Sequence, residues 1–301
     1  MQLNFASYTL NKNNLTLQEL TSKIRHIEIK SRTLSNHIFA GEYHTAFKGR
    51  GMSFSEVREY SYGDDVRAID WNVSARFGHP FIKVFEEERE LVMMLLIDIS
   101  NSSMFGSSTK TKRELATELS ATLAFSALKN NDKVGAIFFS NGVEKMIAPK
   151  KGRSHILLIL RTLLTIEAKN NSNTNIGQAL QVLNNIAKRK AITVVISDFL
   201  SEPFEKELRL TSKKHDIIGI HIFDTLDREI PSVGLLPVQD LETGNQQWIN
   251  TNSSTVRKNI QNKFDKHTSA TKQIFSKVNA GFISMHTAQD YVKVLHNYFS
   301  K

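Results

Sequence analysis

Five oxygen-bearing side chains stand where apolar runs break off. The run LVMMLLID ends in Asp98-Ile99-Ser100-Asn101-Ser102, the run AITVVIS ends in Ser197-Asp198, and Asn173-Thr174-Asn175 sits just ahead of a helical pattern that begins near residue 176. Asp98 lies where a strand stops. Ser100 and Ser102 follow at alternating positions in a loop, which lets their hydroxyls point the same way. Two serine hydroxyls, one threonine hydroxyl and two carboxylates make an all-oxygen shell that suits a hard divalent cation, Mg2+ first, with Mn2+ or Ca2+ as substitutes. Because the neutral hydroxyls touch the ion, it keeps much of its Lewis acidity and takes an anionic ligand from outside, an Asp or Glu of a partner. The expected metal ligands are therefore Asp98, Ser100, Ser102, Thr174 and Asp198. The same residue types also cap helices and start turns, so a purely structural role for Ser100, Ser102 and Asp198 stands beside the metal.

Other chemistry has less footing. Between Glu56 and Trp71 the charges alternate in sign through Arg58, Glu59, Asp64, Asp65, Arg67 and Asp70. Arg–carboxylate pairs can order a turn-rich stretch that has no core of its own. The competing reading is a cation-dependent phosphoester hydrolase with Asp64, Asp65 or Asp70 as base, although Gly63 followed by two Asp is also an ordinary turn. Lys48-Gly49-Arg50-Gly51 has the charge to meet phosphate but not the G-x-x-x-x-G-K-S/T frame of a nucleotide loop. His26, His37, His44, His79, His155, His215 and His221 are scattered, without H-E-x-x-H spacing, and no G-x-S-x-G elbow occurs. Each of these histidines is expected on the surface or at a core edge, and no catalytic residue is assigned. Cys is absent, which excludes disulfides, thiolate zinc, iron–sulfur clusters and a Cys nucleophile, and fits a reducing interior.

Lys and Arg number 39 against 30 Asp and Glu, a formal charge of +9 over 301 residues. Much of the excess lies in Lys188-Arg189-Lys190, Lys213-Lys214 and the series Arg257, Lys258, Lys263, Lys266, Lys272, Lys277. That series runs along an amphipathic helical pattern, as a solvated face does. No aromatic residues alternate with it as a base-stacking groove requires, so nucleic acid is not the expected partner, and a basic nucleic-acid-binding protein stays as an alternative. The apolar runs fall well short of the roughly 18 residues of a transmembrane helix, and the N-terminus lacks a signal-peptide core. A soluble, cytoplasmic protein is expected.

The elements that must hold these residues can be read from periodicity. Residues 91–98 are continuously apolar, the form of a parallel strand covered on both faces. Helical periodicity follows at 112–129, then a strand at 134–139 joined to 143–148 across Asn141-Gly142. Helices at about 154–166 and 176–189, a strand at 191–197, a helix near 203–214 and a strand at 217–223 continue the alternation. This pattern predicts a doubly wound, mostly parallel α/β sheet. Upstream, a helix is expected at 17–35, then a turn-rich stretch from Gly41 to Gly78 and a strand at 81–85. Downstream, a hairpin across Thr243-Gly244-Asn245 and helices near 253–279 and 287–299 close the chain. Two domains follow from this organisation, 1–88 as an N-terminal segment packing on the sheet and 89–301 with the sheet and a C-terminal helical extension.

Asp98-x-Ser100-x-Ser102, then Thr174-Asn175-Ile176-Gly177-x-Ala179-Leu180, then Ser197-Asp198, resembles the metal-ion-dependent adhesion site of a von Willebrand factor A-type domain over roughly residues 91–223. In such domains the two Ser and the Thr ligate the ion, and the two Asp act through water or hold the hydroxyls. Asn171-Ser172-Asn173 stands where those domains usually have a Gly pair. The stretch Gly49-Arg50-Gly51-Met52-Ser53-Phe54-Ser55-Glu56 through Tyr60-Ser61-Tyr62-Gly63-Asp64-Asp65-Val66-Arg67-Ala68-Ile69-Asp70-Trp71, with Ala75-Arg76 and Lys83-Val84-Phe85-Glu86-Glu87-Glu88, resembles the signature of the bacterial family called domain of unknown function 58. That resemblance implies association with a MoxR-type AAA+ ATPase, and a non-enzymatic role as adaptor or chaperone-like partner of the ATPase or its client.

Overall fold

A computed structural model describes residues 4–5, 17–38, 53–86, 91–107, 110–168, 174–239 and 246–299. Along the chain the elements begin with β1 (Asn4–Phe5), α1 (Leu17–Ile38), β2 (Ser53–Glu59), α2 (Trp71–Phe77) and β3 (Phe81–Glu86). They continue with β4 (Val92–Asp98), α3 (Lys112–Lys129), β5 (Lys133–Phe139), β6 (Val143–Lys150), α4 (Arg153–Thr165) and α5 (Ile176–Ile186). Next come β7 (Ile192–Ser197), α6 (Glu205–Ser212), β8 (Asp216–Phe223), α7 (Thr225–Arg228), β9 (Leu235–Gln239) and β10 (Gln246–Asn250). The chain closes with α8 (Ser254–Lys277), β11 (Gly281–His286) and α9 (Tyr291–Phe299).

The main sheet has the order β11-β8-β7-β4-β5-β6. All its pairs are parallel except β5–β6. The doubly wound, mostly parallel α/β sheet read from the sequence is the observed one. Its strands are apolar end to end because both faces are covered: Met93, Met94, Leu95, Leu96 and Ile97 are all buried. Met94 and Leu96 share one core with Ile176, Leu180 and Leu183 of α5, Leu208 of α6 and Phe275 of α8. Helices α3 and α4 pack beneath the sheet through β4 and β5, and α1 packs against both. From β4 the chain builds outward through β5 to β6, then returns to lay β7 on the other side of β4. The junction of β4 and β7 is thus the topological switch point, where open α/β sheets leave a crevice at the carboxyl ends of the strands.

The chain forms two compact units, Met1–Phe47 with Val92–Lys301, and Lys48–Leu91. This division differs from one at residue 88, because α1 belongs with the sheet. Ile27, Glu28 and Ser31 are buried, and Lys23–Glu114 and Lys30–Glu118, each at 2.8 Å, tie α1 to α3. The small unit pairs β2 and β3 antiparallel with an irregularity at Phe54/Glu56, and a 3-10 turn (Val66–Ala68) and α2 lie between the two strands along the chain. Its turn-rich stretch contains two elements the sequence pattern does not reveal, β2 and α2. β11 is a third: six residues between two helices, it pairs parallel with β8, and α9 starts at Tyr291 rather than near 287.

Candidate metal centre

The carboxyl end of β4 places Asp98, and the turn after it is held by that side chain. The Ser100 backbone N–H donates to Asp98 Oδ1 at 2.8 Å, and Ser197 Oγ, at the end of β7, donates to Asp98 Oδ2 at 2.6 Å. The two strand ends at the switch point are thus joined through one carboxylate. Ser100 precedes the 3-10 turn Asn101–Met104 but makes no side-chain cap to it. Its hydroxyl lies instead 2.9 Å from Ser102 Oγ, and Ser102 helps to lower the Asp198 carboxyl. Asp98, the Ser100 backbone N–H, the paired Ser100 and Ser102 hydroxyls and the Asp198 carboxylate thus gather at one place, with all four residues buried. Asp198 also accepts from Leu200 N at 3.2 Å, the turn role open to it from its residue type.

Thr174 reaches the same edge of the sheet by its backbone. It forms a parallel bridge with Ser201, and its carbonyl accepts from Glu202 N at 3.1 Å. The next residue, Asn175, donates its N–H to Ser140 O at the end of β5 at 2.7 Å and caps α5 through Gln178 N at 2.8 Å. Thr174 itself is buried. The expected loop residues 171–173 lie outside the described residues, as do Lys48-Gly49-Arg50-Gly51 and Glu87-Glu88.

Two cations enter the centre that residue types and spacing did not single out. Lys112, the first residue of α3, is 4% exposed and places its ammonium 2.8 Å from Asp227 Oδ2 and 3.3 Å from Asp198 Oδ2. Burial alone lowers a lysine; here the charges of Asp227 and Asp198 outweigh it and hold Lys112 above its ordinary value. A signal existed, since a lysine at a helix N-terminus opposes the macrodipole and calls for a compensating carboxylate. Arg113 beside it clamps the Asp98 loop, donating to Ile99 O at 2.7 Å and Ser103 Oγ at 3.0 Å.

The charge balance at Asp98 is the electrostatic mark of the site. Burial, then the negative charge of Asp198, push the Asp98 carboxyl up to about 6. At Asp198 burial acts the same way, but Lys112 wins and the carboxyl lies below its usual range. The pocket bounded by Asp98, Ser102, Lys112, Ser197 and Asp198 holds about 10 Å³, room for roughly one water-sized sphere. Hydroxyls and carboxylates are donors that suit a small hard dication; of the five expected ligands, Asp98, Ser100, Ser102 and Asp198 come together here, while Thr174 is tied to Ser201 and Glu202 through its backbone.

The competing acidic residues are engaged otherwise. Arg58 meets Asp64 through two hydrogen bonds of 2.8 Å, and Asp64 also accepts from Ser61 N. Asp65 accepts from Arg67 N, and Asp70 caps α2 through Asn72 N and Val73 N. These contacts lower the Asp64 and Asp70 carboxyls, through Arg58 and through Val73 N respectively, which makes both weak bases. The segment is ordered by Arg–carboxylate pairing and caps. Among the described residues no group of three or more His, Asp or Glu has metal-binding geometry. No helix among them is long and apolar enough to cross a membrane.

The sheet order, its one antiparallel edge pair and the Asp-x-Ser-x-Ser loop make the larger unit von Willebrand factor A-like. Among solved structures, the chain is similar to BatB of Bacteroides thetaiotaomicron, at 17% identity and a TM-score of 0.46 over 70% of this chain and 97% of that one. It is also similar to the VWA domain of SpRpn10, at 13% identity and a TM-score of 0.39 over 69% and 94%. Among sequences, an uncharacterized protein of Mycobacterium tuberculosis is 30% identical over 228 residues, 75% of this chain and 72% of that protein. The uncharacterized protein YeaD of Bacillus subtilis is 32% identical over 149 residues, 49% of this chain and 35% of that one. Residues 56–270 match the family described as "Protein of unknown function DUF58", and the chain belongs to that family.

Proposed function

We propose that this protein is a non-enzymatic interaction module whose partner binding depends on a divalent cation. Mg2+, or Mn2+ or Ca2+ in its place, is held by Asp98, Ser100, Ser102, Thr174 and Asp198 and bridges to an Asp or Glu carboxylate of the partner. The partner is a MoxR-type AAA+ ATPase or its client, as the family resemblance implies. The observation that carries this reading is the buried cluster of Asp98, Ser100, Ser102 and Asp198 at the switch point, with Asp98 pushed up to about 6 by burial and by Asp198. Three carboxylates, Asp98, Asp198 and Asp227, face the two cations Lys112 and Arg113 there, and a dication would offset the negative charge left over. A dication held mainly by neutral hydroxyls retains affinity for an external anion. Family membership and the von Willebrand factor A-like fold support the coarser part of the reading, a protein-interaction module.

The test is a capture experiment with the full chain immobilised, in Mg2+ and in EDTA, read by mass spectrometry and repeated with Asp98→Ala. Proteins retained in Mg2+ and lost both in EDTA and on the variant support the reading. A folded Asp98→Ala protein that retains the same set, or retention indifferent to EDTA, overturns it.

A further inference from the structure

We propose that a second cavity, next to Asp198, takes an aromatic or long aliphatic side chain from an acidic peptide segment of a protein partner; this rests on the reading that the carboxyl edge of the sheet docks a protein, and specifies the segment. The cavity holds about 520 Å³, within the roughly 300–1,000 Å³ of sites that bury most of a ligand group. Its apolar wall is Phe223 at the end of β8, Ile249 of β10, and Val256, Ile260 and Phe264 of α8. Positions 256, 260 and 264 are successive turns of one helix face. Trp248, also on the lining, is 71% exposed, an aromatic surface of the kind that contributes most at interfaces.

The polar groups facing the cavity point to an uncharged insert. His221 and His267 line it with their rings. His221 Nδ1 is engaged with Ser284 Oγ at 2.9 Å, and the buried His267 Nε2 has no hydrogen-bond partner. Asp198 and Asp227 also line the cavity, and the two share the Lys112 ammonium.

What flanks the insert is set by the charge outside. Lys263 lines the cavity and is exposed, and Lys258 and Lys266 are exposed on the same helix. Asp265, the acidic residue among them, pairs with Arg228 at 3.1 Å. A cationic helix beside an apolar cavity is complementary to an apolar side chain set between Asp and Glu, and a carboxylate of the same segment would be within the neighbourhood of the proposed cation at Asp198.

The experiment is selection of a random dodecapeptide phage library on the immobilised full-length protein in Mg2+. It is followed by fluorescence polarisation of the most enriched peptides against the wild type, Ile260→Trp and Lys263→Glu. The expected pool places Asp or Glu beside Phe, Trp, Leu or Met. Replacing that apolar residue with Ser, or filling the cavity with Ile260→Trp, weakens binding about tenfold to a hundredfold, the worth of one buried apolar side chain. Lys263→Glu, at an exposed position that folding tolerates, weakens it several-fold and more so at low salt. A pool without acidic–apolar pairing, or peptides that bind Ile260→Trp and Lys263→Glu as they bind the wild type, overturns the proposal. Repeating the titrations in EDTA separates the two readings. Peptides insensitive to EDTA but lost on Ile260→Trp uphold the cavity and contradict the cation; peptides lost in EDTA but indifferent to Ser replacement and to Ile260→Trp do the reverse.

Discussion

Lys112 and His221 show how single buried groups set the properties of the centre. The Lys112 ammonium sits between Asp198 and Asp227 at 3.3 and 2.8 Å. Removing one partner of such a buried pair leaves an uncompensated charge and costs about 3–5 kcal/mol. Lys112→Met is therefore expected to lower the melting temperature sharply in EDTA, and Mg2+ is expected to recover part of the loss, because a dication at Asp198 replaces the missing charge. Thermal unfolding of the variant with and without Mg2+ checks this; a loss that Mg2+ leaves untouched contradicts it. His221 is stacked among Phe223, Phe264 and Phe282, and burial pushes its imidazole down to about 3. A group lowered on folding contributes stability that is complete above its unfolded pKa of 6.5 and is lost as pH falls toward 3. That loss reaches up to ~5 kcal/mol at the acid end. His221→Phe is expected to flatten the decline between pH 6.5 and 4 in urea titrations, and a decline as steep as in the wild type rules the assignment out.

At the scale of elements, the site depends on how closely α8 lies against β8. A Cβ at Gly219 would come 2.6 Å from Phe275 Cζ and 3.1 Å from Phe199 Cζ, and both rings are fully enclosed. Gly219→Ala is expected to cost about 1–3 kcal/mol through overpacking, measured by chemical denaturation; an unchanged midpoint contradicts the close approach. Strands and helices around Asp98 and Asp198 are legible in the sequence because each is a continuous apolar run or a clean helical period, and α3 lies where its pattern places it, 112–129. β11 escapes because Gly281–His286 is a half-buried edge strand whose alternation is too short to separate from the helices around it. β2 and α2 escape because their order comes from Arg58–Asp64 pairing and the Asp70 cap, contacts made by polar residues with no period. Within the site, Asp98, Ser100, Ser102 and Asp198 are legible as residues ending strands. Lys112 and Asp227 are not, because 115 positions separate the two residues that meet at 2.8 Å and each belongs locally to a helix start.

Over the whole molecule, the charge of +9 and the centre of negative charge have separate homes. Lys258, Lys263, Lys266, Lys272 and Lys277 are exposed on α8, and Lys277 pairs with Glu205 at 3.0 Å, as a solvated face does. The carboxylates of Asp98 and Asp198 are buried where β4 and β7 diverge, with burial and mutual repulsion raising Asp98. The sheet thus supplies a rigid frame for an anionic pocket beside a cationic helix. The most direct test of the central claim is a Mg2+ titration followed by thermal unfolding of the wild type and of Asp98→Ala at pH 7.5. Binding to the folded state alone at a hundredfold excess over Kd adds about 2.7 kcal/mol, which for a chain of 301 residues raises Tm by roughly 4 °C. The account predicts that rise for the wild type and none for Asp98→Ala; a wild type whose Tm is indifferent to millimolar Mg2+, or a variant that responds equally, contradicts it.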